Sequence, residues 1–196
     1  MKRLWICCLC IFAAPLSVSA GPNDGFVVSL DEPTRLVNPE IGDPVTVAVR
    51  AAGTTELKGI VIRARFDTTR VRFLSYTTGD ATPGALSLPK APEAVSGTIA
   101  EAEGGSTFLG TQTVLTEGGV LGTFTFEVID EIPEAGSQIW VTYVEVNTSS
   151  KDEDEDVLTF DRGDLSVHLV RRFANRIFNE DVARRHDAAT FRWESR

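Results

Sequence analysis

The chain has 196 residues, with 28 acidic against 19 basic side chains and three cysteines, all within the first ten positions. Residues 21–170 alone carry 24 Asp and Glu against 10 Lys and Arg, a net of −14, a field that repels nucleic acid and anionic lipid. With no cysteine beyond Cys10, the body of the chain cannot be a disulfide scaffold and has to rest on a packed core, which about 150 residues suffice to build.

Residues 1–20 read as a signal peptide. Lys2 and Arg3 precede an apolar run from Leu4 to Ala14, and Val18-Ser19-Ala20 supplies the small residues of a cleavage site. Cleavage before Gly21 would leave a 176-residue exported chain, secreted or associated with the cell envelope. Cys7, Cys8 and Cys10 lie inside the apolar run, not after it, which disfavours lipid attachment.

Residues 21–170 read as one β domain. Phe26–Leu30 is a short strand candidate, and Gly42-Asp43-Pro44 turns the chain into the alternating Val45–Val49. In LKGIVIRARFDTTRVRFLSYTTGD, residues 57–80, Ile60, Ile62, Ala64 and Phe66 share one face while Val61, Arg63, Arg65 and Asp67 share the other. This period of two marks a strand with one buried side. Val71 and Phe73 continue the inward set after Asp67-Thr68-Thr69, with Arg70 and Arg72 pointing away. Residues 79–92 hold three prolines and two glycines and predict a loop or an irregular strand edge. Strand-like stretches resume at Val95–Ala100 and Thr107–Leu115, then in VLGTFTFEV, where Val120, Phe124, Phe126 and Val128 share a parity. In QIWVTYVEV, residues 138–146, bulky residues occupy both parities and the inward face stays open. KDEDED, residues 151–156, precedes VLTF and DLSVHLV, a closing pair of strands. About nine short strands without intervening helices predict a two-layer β-sandwich.

Residues 171–196 differ in kind, with seven arginines against four acids. Phe173, Ile177, Phe178 and Val182 fall along one helical side, which predicts a basic amphipathic extension of one helix or two short ones. Such a helix is marginal alone and has to dock on the sandwich or on a partner.

Catalytic chemistry is poorly represented. Past the leader there is no cysteine, and the two histidines, His168 and His186, form no ligand pattern. No HExxH, GxSxG or phosphate-gripping glycine loop occurs, so the sequence predicts a non-enzyme. Asp152, Asp154 and Asp156 are the candidate ligands for Ca²⁺, whose hard charge suits clustered carboxylates, but their spacing is not that of an EF-hand and a solvated acidic loop explains them as well. Arg162-Gly163-Asp164 is an RGD triplet that a turn between strands accounts for, and Asn147-Thr148-Ser149 fits a glycosylation sequon.

The order of these pieces resembles the cohesin family and its carbohydrate-binding-module relatives. Gly42, Asp43, Val45 and Val47 match its Gly-Asp-x-Val-x-Val strand; Gly59, Ile60, Phe66, Asp67, Val71, Phe73, Gly79 and Asp80 match its central block; Phe124, Phe126 and Val128 match a later strand. The resemblance covers roughly residues 25–170. It implies a nine-stranded jelly-roll sandwich that binds calcium-loaded dockerin modules through one sheet face. Val61, Arg63 and Arg65 are then the candidate partner contacts, while DTTR becomes an arch between layers that sends Arg70 and Arg72 to the opposite sheet. Calcium would sit on the partner or in the acidic loop. The alternatives are polysaccharide binding and a structural role on the envelope. Glycan binding needs exposed aromatic platforms, and Trp140 and Tyr143 have opposite parities, which argues against one on their strand.

Overall fold

The period of two in residues 60–66 is carried into space without a break: Ile60, Ile62, Ala64 and Phe66 are buried, and Val61, Arg63 and Arg65 stand half-buried on the opposite face. In the computed structural model, residues 23, 25–110, 113–148 and 156–172 are described, and all their regular structure is strand. The leader, Asp152, Asp154 and the extension beyond residue 172 lie outside the described residues, as does the expected terminal helix.

The strands are β1 (Val27–Leu30), β2 (Arg35–Val37), β3 (Pro44–Ala52), β4 (Glu56–Leu57), β5 (Gly59–Asp67), β6 (Val71–Thr78) and β7 (Leu86–Ser96). They continue with β8 (Ile99–Thr107), β9 (Val114–Leu115), β10 (Gly118–Val128), β11 (Ser137–Asn147), β12 (Asp156–Thr159) and β13 (Ser166–Val170). A small sheet runs β1-β3-β10-β6 and a large one β2-β13-β11-β5-β8-β7, with β12 added to β11 and a β4-β9 ribbon beside them. The nine strands expected of the sandwich are present; β2, β4, β9 and β12 are short additions of two to four residues.

The inward faces of the two sheets meet in one apolar core. Val45, Val47 and Val49 of β3 and Phe124, Phe126 and Val128 of β10 face Ile60, Ile62 and Phe66 of β5 and Ile139, Val141, Val144 and Val146 of β11. Phe66 and Phe126 bridge the layers with ring centroids 5.0 Å apart. Because β5 belongs to the large sheet and β6 to the small one, Asp67–Arg70 is an arch between layers and not a hairpin. The arginines are therefore divided, as the resemblance implied. Arg70 pairs with Asp130 at 2.6 Å and Arg72 with Glu127, far from the β5 face.

One strand escaped the sequence reading. β8, IAEAEGGST, lacks large apolar residues because its inward positions are Ala100, Ala102, Gly104 and Ser106. They are small because Tyr76 of the small sheet fills the space above them: a Cβ on Gly104 would lie 2.2 Å from its ring, and one on Gly122 of β10 2.3 Å from its hydroxyl. The buried hydroxyl shares a hydrogen bond with Ser106 Oγ at 3.2 Å, and burial raises its pKa. β7 is longer than the prolines at 89 and 92 imply. All eleven of its residues are exposed at the sheet edge, where a missing N–H costs no ladder bond and discourages edge pairing.

Bulges account for the remaining differences. A register shift between Val120 and Gly122 buries Leu121 and leaves Val120 opposite Arg50, out of the inward set expected for it. The two closing strands pair not with one another but with successive halves of β11: β13 with residues 137–140 and β12 with 143–146.

The arch carries a pH signature. Burial alone would raise the Asp67 pKa, but hydrogen bonds from Thr69 N, Thr69 Oγ1 and Thr98 and the charge of Arg70 outweigh it and hold it below the ordinary carboxylate value. A folded value below the unfolded one means that this stabilisation is complete above about pH 5 and is lost as pH falls through the folded value. Asp67→Asn should accordingly reduce stability at pH 7 while weakening its further fall on acidification, read from urea midpoints between about pH 6 and 2.

Candidate functional site

β5 lies in the middle of the large sheet, and its outward side chains are matched across the neighbouring strands. One cross-strand row runs Lys90, Glu103, Arg63, Tyr143, Thr159, and the next runs Glu93, Glu101, Arg65, Trp140. Opposite charges face one another at Lys90–Glu103–Arg63 and at Glu101–Arg65, the favourable arrangement on a sheet face, while Glu93 stands opposite the like-charged Glu101. Arg63 Nε reaches Glu103 Oε2 at 2.7 Å and Arg65 Nε reaches Glu101 Oε2 at 2.7 Å. Lys90 and Glu93 pair at 3.0 Å. The hydrogen bond to Glu103, with the charges of both glutamates, raises the Arg63 pKa against the opposing effect of burial. With Arg63 and Arg65 side chains 40% and 38% exposed, these pairs add little stability, about 0–1 kcal/mol each. A third row, Leu88, Gly105, Val61, Glu145, Val157, is largely apolar, and Leu86 and Leu88 are 47% and 53% exposed.

The expected parity of β11 does not survive its bulge. Val141 lies opposite Ala64 and Tyr143 opposite Arg63, so Thr142 is an extra residue. Ile139 and Val141 point inward before it and Val144 and Val146 after it, which turns both Trp140 and Tyr143 to the outer face. The argument against a shared Trp–Tyr face therefore fails, for a reason that alternation cannot reveal. The rings are not bare, however. The Arg63 guanidinium lies 4.5 Å from the Tyr143 ring centroid and that of Arg162 lies 4.7 Å from Trp140, which is only 6% exposed.

Where β12 ends and β13 has not yet begun, residues 160–165 swing out beside the bulge. Phe160 N donates to Thr142 O at 3.1 Å and Val141 N to Leu165 O at 2.9 Å, which fixes both ends of the excursion. A cleft of about 440 Å³ results, lined by Arg63, Arg65 and Arg162 with Trp140, Tyr143 and Phe160 contributing rings. Thr142 Oγ1 donates to Glu101 Oε2 at 3.2 Å and joins the bulge to the Arg65–Glu101 pair.

Val61, Arg63 and Arg65 thus share the outer face expected of them. Of the calcium candidates, Asp152 and Asp154 lie outside the described residues, and Asp156 is placed only as the first residue of β12. Among the described residues no three His, Cys, Asp or Glu side chains cluster as a metal site. The RGD arginine is folded onto Trp140. His168 shares a hydrogen bond with Ser166 Oγ at 3.0 Å. The aspartates of the two Gly-Asp pairs serve the backbone: Asp43 accepts from Glu40 N and Asp80 from Val120 N. Asn147 Nδ2 of the sequon donates to Glu145 Oε1 at 3.0 Å. Sequence reasoning missed Glu101, Glu103 and Arg162 as members of this face.

No protein-family model matches the sequence, and no curated relative does. Solved structures do match the fold. A non-cellulosomal cohesin from Archaeoglobus fulgidus aligns over 82% of this chain and 96% of its own, with a TM-score of 0.50 at 11% identity. A type II cohesin from Bacteroides cellulosolvens aligns over 70% and 99%, with a TM-score of 0.51 at 13% identity. The fold is cohesin-like. A cohesin from Clostridium thermocellum, solved in a type I cohesin–dockerin complex, adds a TM-score of 0.51 at 14% identity over 75% of this chain and 99% of its own. The expected nine-stranded sandwich is therefore reached from the residues and from the likeness alike.

The stacking of Arg162 on Trp140 has a spectroscopic consequence. In a Trp193→Phe background of the exported chain, Arg162→Ala should raise iodide quenching of the Trp140 fluorescence at least twofold with little change in the urea midpoint. Unchanged quenching would contradict the stacked geometry.

Proposed function

We propose that this chain is a non-catalytic, exported docking module that binds a protein partner through the outer face of β11, β5, β8 and β7. The observation that carries this reading is the composition of that face. The half-buried Val61 and the exposed Leu86 and Leu88 form an apolar strip, and beside it Arg63 and Arg65 sit in matched ion pairs at 2.7 Å. An apolar centre beside arginine is the composition that protein interfaces favour, and arginine is prominent among hot-spot residues. The solved dockerin complex of the C. thermocellum cohesin supports a dockerin-like module as the partner class. Calcium, on this reading, belongs to the partner, and the outer-face residues Val61, Arg63 and Arg65 are the contacts.

A second reading, polysaccharide binding, is favoured by one observation only: the β11 bulge brings Trp140 and Tyr143 to one face. Against it, a guanidinium group already lies over each of the two rings and competes with a sugar for that surface.

The exported chain, residues 21–196, used as bait in the secreted and envelope fraction, should capture a dockerin-bearing protein. Recovery should fall at least tenfold with a calcium chelator and at least tenfold with Arg63→Glu/Arg65→Glu. Retention on insoluble polysaccharide that the double substitution leaves unchanged would overturn the docking reading in favour of the second.

A further inference from the structure

The cleft beside the bulge holds one cation that the docking face does not use up. Arg50, Arg63, Arg65, Arg70 and Arg72 each grip a carboxylate. Arg162 does not: among the described residues its one interaction is the stack on Trp140 at 4.7 Å. A guanidinium held over a ring by its charge keeps its N–H donors available for a further acceptor. Of the two acids in the lining, Glu101 is already held by Arg65 and by Thr142, while Asp161 is exposed beside Arg162. Arg63 is matched by Glu103 and Arg65 by Glu101, so Arg162 is the one lining cation that no carboxylate among the described residues holds in an ion pair.

We infer that this cleft receives a carboxylate side chain of the docking partner, with Arg162 as the group that binds it and Trp140 as the support that orients Arg162. The inference rests on the docking reading for the source of the carboxylate. A cleft of about 440 Å³ is far too small for a folded module and has ample room for a side chain, and on the docking reading that side chain projects from a partner already seated on the β11–β5–β8–β7 face. A planar carboxylate matches the guanidinium fork with two parallel hydrogen bonds. An acidic sugar is the poorer fit, because Arg162 and Arg63 already lie over the Trp140 and Tyr143 rings and compete with it for that surface. Arg162 is thus a specificity-determining residue: it rewards a partner with Asp or Glu at the position facing the bulge and does nothing for one with Asn or Gln.

The test separates this inference from the docking reading. The ¹⁵N-labelled exported chain is titrated with a capped nonapeptide bearing a central Glu, with the same peptide bearing Gln, and with oligogalacturonate, while the Trp140 Nε1–H and Arg162 Nε–H signals are followed. The Glu peptide should shift both signals, the Gln peptide should not, and Arg162→Gln should weaken the Glu-peptide response at least tenfold without lowering the melting temperature. Equal responses to Glu and Gln, or a response indifferent to Arg162→Gln, would overturn the inference. Shifts with oligogalacturonate while the Glu peptide stays inert would overturn it too and assign the cleft to an acidic glycan. Failure of the docking reading would look different: partner capture indifferent to Arg63→Glu/Arg65→Glu, whatever the peptides do.

Discussion

The position of β5 constrains everything else in this molecule. It is hydrogen-bonded along one edge to β8 and along the other to β11, and its inward side chains are sealed in the core. A slip of one residue would move Ile60, Ile62, Ala64 and Phe66 into water and bury Arg63 and Arg65, a change that no carboxylate on the inner side could repay. The outward display of Val61, Arg63 and Arg65 is therefore a consequence of core packing. The glutamates of β8 and the aromatics of β11 take their places from that register.

The face so produced is built from paired charges. Each Arg–Glu pair is partly hydrated and contributes little to folding, which leaves its groups available to exchange partners on binding. The rigid sandwich beneath supplies the flatness and the fixed spacing. Because stability comes from Phe66, Phe126 and their neighbours and little of it from the outer rows, a cohesin-like fold can tolerate an identity of 11–14% to the structures it resembles. It also means that the partner has to be argued from the surface and not from the fold.

Much of this was legible in the sequence where alternation is strict. Residues 44–52, 59–67 and 122–128 announce their faces because most of their inward positions hold a large apolar residue. Legibility ends where packing asks for the opposite. β8 was obscured because Tyr76 needs small residues opposite it, so the strand reads as Ala, Glu and Gly. Thr142 concealed the cleft, since one inserted residue moves Tyr143 to the face of Trp140 and no local composition marks the insertion. Arg162 was visible only as part of a triplet, because its role depends on where residues 160–165 leave the sheet.

The central claim is that recognition belongs to the large sheet and not to its twin. Residues 21–196 contain no cysteine, so one can be introduced at Val61 on the large-sheet face or at Thr77 on the outer face of the small sheet and labelled with a bulky maleimide. The direct measurement is partner affinity of the two labelled proteins side by side. The account predicts at least a tenfold loss for the label at position 61 and affinity within about twofold of the unlabelled protein for position 77. The reverse pattern, with binding lost only at position 77, would contradict it.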